Sequence, residues 1–355
     1  MRILFDARSV RTPSGLYVFQ GLATAWCDNA RVSRVFAAIP EGFDSARIPR
    51  GVEPVRHESA SWLRHVGKVL PRLADRVQAD IIFSPNASPP RDERSVLFFQ
   101  DLFHFRPRAS EGGRVRGWVG RTTRASWRAV AAPAALLGVA VSTEVLTHVR
   151  RRVRVRSVLI PNGVDVHNHR WVGDKPEVVI MGGIGARKDE GAAIRAWARV
   201  PARSRAGLRL HVIGVEPGTR RTTLEALAAA LGVAESTTVT GQLDRDAFLE
   251  IVARSRLAVS CSRLEAFGLP VAEALALGAP LICSDIPAHR ELMRRAGAGS
   301  HFVPHNSIDL SRRIASALDG AAPARMMPAP EAWTWRVRAD EHLDAYQNAW
   351  LPTER

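Results

Sequence analysis

Apolar residues in this chain gather in short runs separated by longer stretches of helical pattern. In the first half the runs are Ile3–Phe5, Val35–Ile39, Asp80–Phe83, Val96–Phe99, Leu136–Val141 and Val155–Ile160. In the second half they are Val178–Met181, Leu208–Ile213, Thr237–Thr240, Leu257–Ser260, Leu281–Ser284 and His301–Val303. Most are rich in Val, Ile and Leu without polar alternation, the pattern of parallel strands covered on both faces by helices. The alternation appears twice, which predicts an α/β chain of two doubly wound, Rossmann-like domains. Between them the stretch Val166–Pro176 lacks periodicity and ends in proline, so it reads as a linker. The expected domains are 1–168 and 176–330, with 331–355 as a terminal segment. Sheets of this kind bind ligands beyond the carboxyl ends of their strands, and a cleft between the two domains is the expected site.

Composition adds boundaries. The chain has 355 residues, 46% hydrophobic and 24% charged, enough apolar material for two cores and too much for a disordered protein. Cys27, Cys261 and Cys283 form no Cys-x-x-Cys pair, which argues against a disulfide framework or a zinc site and for a reducing compartment. Asp6 comes too early for a signal peptide, and the uncharged run Ala129–Thr143 falls short of the ~20 residues that span a bilayer. The expected location is cytoplasmic.

The net charge is +15, and +12 of it lies in residues 1–165. That imbalance points to an anionic partner. Arg64, Lys68, Arg72 and Arg76 recur every four residues within Trp62–Val77, opposite Trp62, Val66, Val69, Leu70, Leu73 and Val77. Arg114, Arg121, Arg124 and Arg128 form a second stripe within Arg114–Val130. Two readings stand: ordinary amphipathic helices with solvated charges, or peripheral docking on the anionic inner face of a membrane. No aromatic-basic RNA-binding pattern appears, so nucleic acid is not an expected partner.

The densest chemical signal is Ser262-Arg-Leu-Glu265-Ala-Phe267-Gly268-Leu269-Pro270-Val-Ala-Glu273-Ala-Leu-Ala-Leu-Gly278-Ala-Pro280, directly after a predicted strand. Gly268 lets backbone amides approach a ligand, and Pro270 suits the first turn of a helix from about Val271 to Leu277. A helix start with free N–H groups favours a diphosphate. Glu265 and Glu273 cannot bind phosphate but can accept hydrogen bonds from sugar hydroxyls. A phosphate-ready helix start flanked by two hydroxyl acceptors describes a nucleotide-sugar pocket. Upstream, Gly182-Gly183-Ile-Gly-Ala-Arg187-Lys188 forms a glycine-rich turn that ends in two cations.

Here the chain resembles the retaining glycosyltransferases of the two-Rossmann-domain (GT-B) fold, the group with two glutamates separated by seven residues. The spacing of Glu265 and Glu273, the Phe267–Pro270 segment and the Gly278-Ala-Pro280 turn carry the likeness, and Ile160-Pro-Asn-Gly-Val-Asp165 resembles the signature before the linker. The resemblance implies that Glu265 contacts the donor sugar. Phe267, Gly268 and Leu269 offer amides to sugar and diphosphate, and Glu273 holds the ribose. Lys188 binds the diphosphate, with Arg187 standing in for an arginine that the family places where this chain has Gly183. It also implies a terminal helix, from Trp333 to Tyr346, that crosses back to the first domain with its tryptophans in packing roles. The implied activity is hexose transfer from a nucleotide diphosphate sugar to a glycan or lipid-linked acceptor in cell-surface polysaccharide assembly, with no cofactor.

Two departures qualify the likeness. The family's usual His-Asp pair after the fourth N-domain strand reads Gln100-Asp101 here, with His104 close behind. Gln100 cannot hold a transferable proton. The N-terminal Gly-x-Gly loop keeps only Gly15, which still opens a helix. An inactive homologue acting as a binding or scaffold subunit therefore remains the alternative. Asp244-Arg245-Asp246 has the look of a metal motif of another glycosyltransferase fold, but it stands just before a helical pattern, and Asp244 reads as an N-cap. Metal-independent chemistry is expected.

Overall fold

The structure is a computed structural model that describes residues 1–10, 12–85, 89–102, 105, 125–166, 169–325 and 330–350. His104 and the Arg114–Arg124 part of the second basic stripe lie outside the described residues. The chain divides into two compact units, Met1–Gly163 with Glu331 onward, and Val164–Pro330.

The first unit holds a parallel sheet of β1 (Arg2–Asp6), β2 (Arg34–Pro40), β3 (Val52–His57), β4 (Ile81–Ser84), β5 (Ser95–Phe99), β6 (Leu137–Ala140) and β7 (Ser157–Leu159). Their order is β3-β2-β1-β4-β5-β6-β7. Six match the predicted runs. β3 was not predicted, because Glu53, Pro54 and Arg56 break any apolar run. It forms at the sheet edge, where a proline's missing N–H costs no ladder bond.

The helix Pro13–Cys27 starts on Thr12, whose Oγ1 accepts the Gly15 N–H at 3.1 Å. It buries Val18, Phe19, Leu22, Ala23 and Trp26 on one face. The terminal helix Trp335–Trp350 belongs to this unit and buries Trp335, Ala339, His342, Leu343 and Tyr346, spaced for a single helical stripe. Trp335 lies against Gly21 and Gly163; a Cβ on Gly21 would sit 2.4 Å from the indole. Its role is packing.

In the basic segment a short helical turn, Trp62–Arg64, runs through a π-helical stretch, His65–Val69, into Leu70–Arg76. Arg64, Lys68, Arg72 and Arg76 are exposed, while Val66, Leu70, Leu73 and Val77 are buried. Arg128 of the second stripe is buried, at 4% exposure, and so is no part of a solvated charged face.

The second unit holds a parallel sheet of β8 (Lys175–Met181), β9 (Arg209–Ile213), β10 (Thr237–Val239), β11 (Ser255–Ser260), β12 (Leu281–Ser284) and β13 (Ser300–Phe302). The order is β10-β9-β8-β11-β12-β13, and each strand matches a predicted run. Val178, Ile180, Leu210, Val212, Leu257, Val259 and Ile282 pack with Trp197, Leu310 and Ile314 in one core.

The described part of the segment expected to be a linker is tied to this unit. Trp171 N donates to Leu277 O at 2.9 Å, Val172 N to Ala253 O at 2.8 Å, and Trp171 Nε1 to Ser255 O at 2.8 Å. Backbone bonding, which leaves no periodic trace in sequence, orders it. Among the described residues no helix is long and apolar enough to cross a membrane.

Candidate functional site

In the second sheet the chain leaves β8 toward β9 on one side and returns to β11 on the other, so β8 and β11 flank the point where strand order reverses. Loops beyond the carboxyl ends of such a pair form a ligand crevice. The loop after β8 is the glycine-rich turn, and the loop after β11 carries Glu265.

These loops meet through charge. Lys188 Nζ lies 2.7 Å from Glu265 Oε1, and Arg187 Nη1 lies 2.9 Å from the same oxygen and 3.3 Å from Leu264 O. Lys188 is buried at 7% exposure. Burial alone would raise the Glu265 carboxyl, but Lys188 and then Arg187 outweigh it and hold it at about 2. Glu265 is therefore an anion at neutral pH. Gly183 leaves room for this arrangement, since a Cβ there would meet Lys188 Cε at 2.9 Å. Arg187 thus converges on the carboxylate that Lys188 contacts, and Gly183 lies under the lysine stem.

Gly268 is the N-cap of the helix Leu269–Leu277, with φ +92° in the left-handed region, and Pro270 occupies the first turn. Among the described residues the amides of Phe267 and Gly268 make no hydrogen bond. Phe267 is buried and Leu269 half-buried. His289 closes the floor: a Cβ on Gly268 would lie 3.2 Å from its ring, and its Nδ1 donates to Ser284 O at 3.0 Å. Burial pushes His289 down to about 4, so it is neutral.

Glu273 lies one turn into the same helix at 5% exposure and is ion-paired to Arg245. Burial raises its carboxyl above the usual range, with Arg245 pulling the other way. Asp244 caps the helix Arg245–Arg254 through Ala247 N at 2.8 Å, as its position in the sequence indicates. Among the described residues no group of three or more His, Cys, Asp or Glu side chains is placed to hold a metal ion.

Residues 165–332 match the family described as glycosyl transferases group 1. The chain carries a group 1 glycosyl transferase domain. The glycogen synthase of Mycobacterium tuberculosis is 28% identical over 228 residues, 61% of this chain and 54% of that protein. The chain thus spans about half the length of the curated relatives it matches. Among solved structures, a sucrose-phosphate synthase from Thermosynechococcus elongatus superposes with a TM-score of 0.73 at 18% identity, covering 98% of both chains. HepE from Anabaena, solved with UDP-glucose, gives 0.69 at 17% identity and also covers 98% of both. These likenesses establish the fold as the two-Rossmann-domain GT-B class.

Within the group 1 domain the structure brings together Gly183, Arg187, Lys188, Glu265, Phe267, Gly268, Leu269 and Glu273. Gln100, Asp101 and Gly15 belong to the first unit. Gln100 and Asp101 directly follow β5 and are half-buried. The Gly15 amide is bonded to Thr12 Oγ1, so it is no open donor, and the helix opens at Pro13 instead. Three residues were not anticipated from sequence. Arg245 appeared only as the middle of an acidic triplet. His289 carried no motif. Glu190, fully buried, accepts the Gly183 N–H at 3.2 Å and is ion-paired to Arg220, which fixes the glycine-rich turn. An acid in a helix's first turn reads as a dipole partner, and nothing in sequence marks it as buried.

Proposed function

We propose that the chain is a retaining hexosyltransferase that takes its sugar from a nucleotide diphosphate donor. The observation that carries the proposal is the convergence of Lys188 and Arg187 on Glu265, beside the open amides of Phe267 and Gly268. The two cations and the helix start stabilise the diphosphate leaving group as its charge develops. Ionised Glu265 accepts hydrogen bonds from the sugar, and Glu273 from the ribose. No cofactor or metal is required for these roles. Retention follows from attack on the face the diphosphate leaves, with a phosphate oxygen taking the acceptor's proton. Gln100 then positions and does not transfer a proton, and Asp101 is its partner.

The first unit is assigned the acceptor, a glycan or lipid-linked hydroxyl, in cell-surface polysaccharide assembly. The exposed row Arg64, Lys68, Arg72 and Arg76 favours an acceptor presented at an anionic membrane surface. The test is a donor screen: UDP-, GDP- and dTDP-hexoses are incubated with the protein, and release of nucleoside diphosphate is followed. Turnover of at least one donor, lost in Lys188→Ala, is expected. No turnover of any donor, with no nucleotide binding, would favour an inactive homologue.

A further inference from the structure

The Glu273 carboxylate is held in an unusual way. Among the described residues Arg245 is its only hydrogen-bond partner, and Arg245 takes Oε1. Among the described residues no donor reaches Oε2. The second arm of the same guanidinium donates to the carbonyl of Asp165. The guanidinium is planar and its donors diverge at fixed angles, so bonding two acceptors on separate segments fixes its orientation. Arg245 is itself fixed as the first residue of a helix capped by Asp244. One carboxylate oxygen is thus clamped while the other stays open.

From this arrangement we infer that Arg245 is a positioning residue that keeps Glu273 aimed with Oε2 toward the donor's ribose, and so sets a preference for nucleotides that carry the 2′,3′-diol over nucleotides that lack it. The inference rests on the reading of Glu273 as the ribose acceptor. The chemistry is direct. A ribose diol offers O–H donors, and only an ionised carboxylate presents both oxygens purely as acceptors. Glu273 is nearly fully buried, and burial favours its neutral form. Arg245 is the cation that opposes this at contact distance, with Lys188 a more distant contributor. Without Arg245 the side chain loses both its orientation and the charge that suits a diol. A donor lacking the hydroxyls gains nothing from the clamp, and this makes the effect specific to the sugar of the nucleotide.

The experiment compares calorimetric binding of UDP, 2′,3′-dideoxy-UDP and inorganic pyrophosphate to the full chain and to Arg245→Gln, Arg245→Lys and Glu273→Gln. The unmodified protein is expected to prefer UDP over its dideoxy form by about tenfold or more, the scale of a lost hydrogen bond to a buried charge. Arg245→Gln should bring that ratio to within about twofold of unity with pyrophosphate affinity unchanged, and Arg245→Lys, which keeps the cation, should restore part of it. Arg245→Gln retaining the full preference while Glu273→Gln abolishes it would overturn the role of Arg245 and leave the ribose reading intact. An unmodified protein without any preference would overturn both. A parallel loss of all three affinities in Arg245→Gln would also overturn the inference, because damage to the fold does not discriminate among probes.

Discussion

Lys188 Nζ lies 2.7 Å from Glu265 Oε1 and joins the loop beyond β8 to the loop beyond β11. The pair has a pH signature. The Glu265 carboxyl sits at about 2 in the folded protein against an ordinary 4.5, so its ionised form is favoured by folding. Its stabilisation is therefore fully present above about 4.5 and is lost as pH falls toward about 2. Urea unfolding of the protein and of Glu265→Gln across this range checks it. The stability gap should be constant from pH 5 upward and should shrink steadily below that.

Gly268 carries two demands at once, a left-handed φ of +92° and a Cβ position 3.2 Å from His289. Gly268→Ala should cost about 1–2 kcal/mol from backbone strain alone. It should also weaken UDP binding, because the amide-presenting turn is displaced. Thermal unfolding together with calorimetry separates the two effects. An alanine variant with unchanged melting and binding would show that the turn is not constrained as described.

Much of the fold was legible because buried parallel strands write themselves as apolar runs, and the runs at β8 to β13 all became strands. β3 was not legible because an edge strand needs no apolar stripe and tolerates Pro54. Val166–Pro176 looked like a linker because backbone bonds, such as that from Trp171 N to Leu277 O, have no sequence period. In the site, Glu265, Glu273 and Lys188 stood out through spacing. Arg245, Glu190 and His289 did not, since their roles arise from burial against residues distant in sequence. Arg245 and Glu273 are brought together only when two helices pack.

Gln100 follows β5 in the place where the family pattern has a histidine. Gln100→Ala should lower transfer only modestly, about tenfold or less, as loss of positioning does. A rise of orders of magnitude in Gln100→His, measured as initial rate on the same donor, would instead mark a degraded enzyme.

Arg64, Lys68, Arg72 and Arg76 are all exposed. Each basic residue near an anionic surface contributes about 1 kcal/mol, so on the proposed membrane reading four would give reversible and salt-sensitive binding. Sedimentation with vesicles containing phosphatidylserine at low salt is the check. Binding should disappear when all four are changed to Glu, with UDP affinity unaltered. If the unmodified protein stays in the supernatant, a soluble acceptor replaces the membrane reading.

The central claim is that Lys188 and Glu265 form the donor site of the group 1 domain. Its most direct measurement is the rate of nucleotide-sugar turnover by Lys188→Ala and Glu265→Ala, each checked for folding by circular dichroism. Both should lose roughly a hundredfold or more in kcat/KM, as removal of contacts made in the transition state does. A folded Glu265→Ala protein that turns over its donor at a near-normal rate would contradict the account.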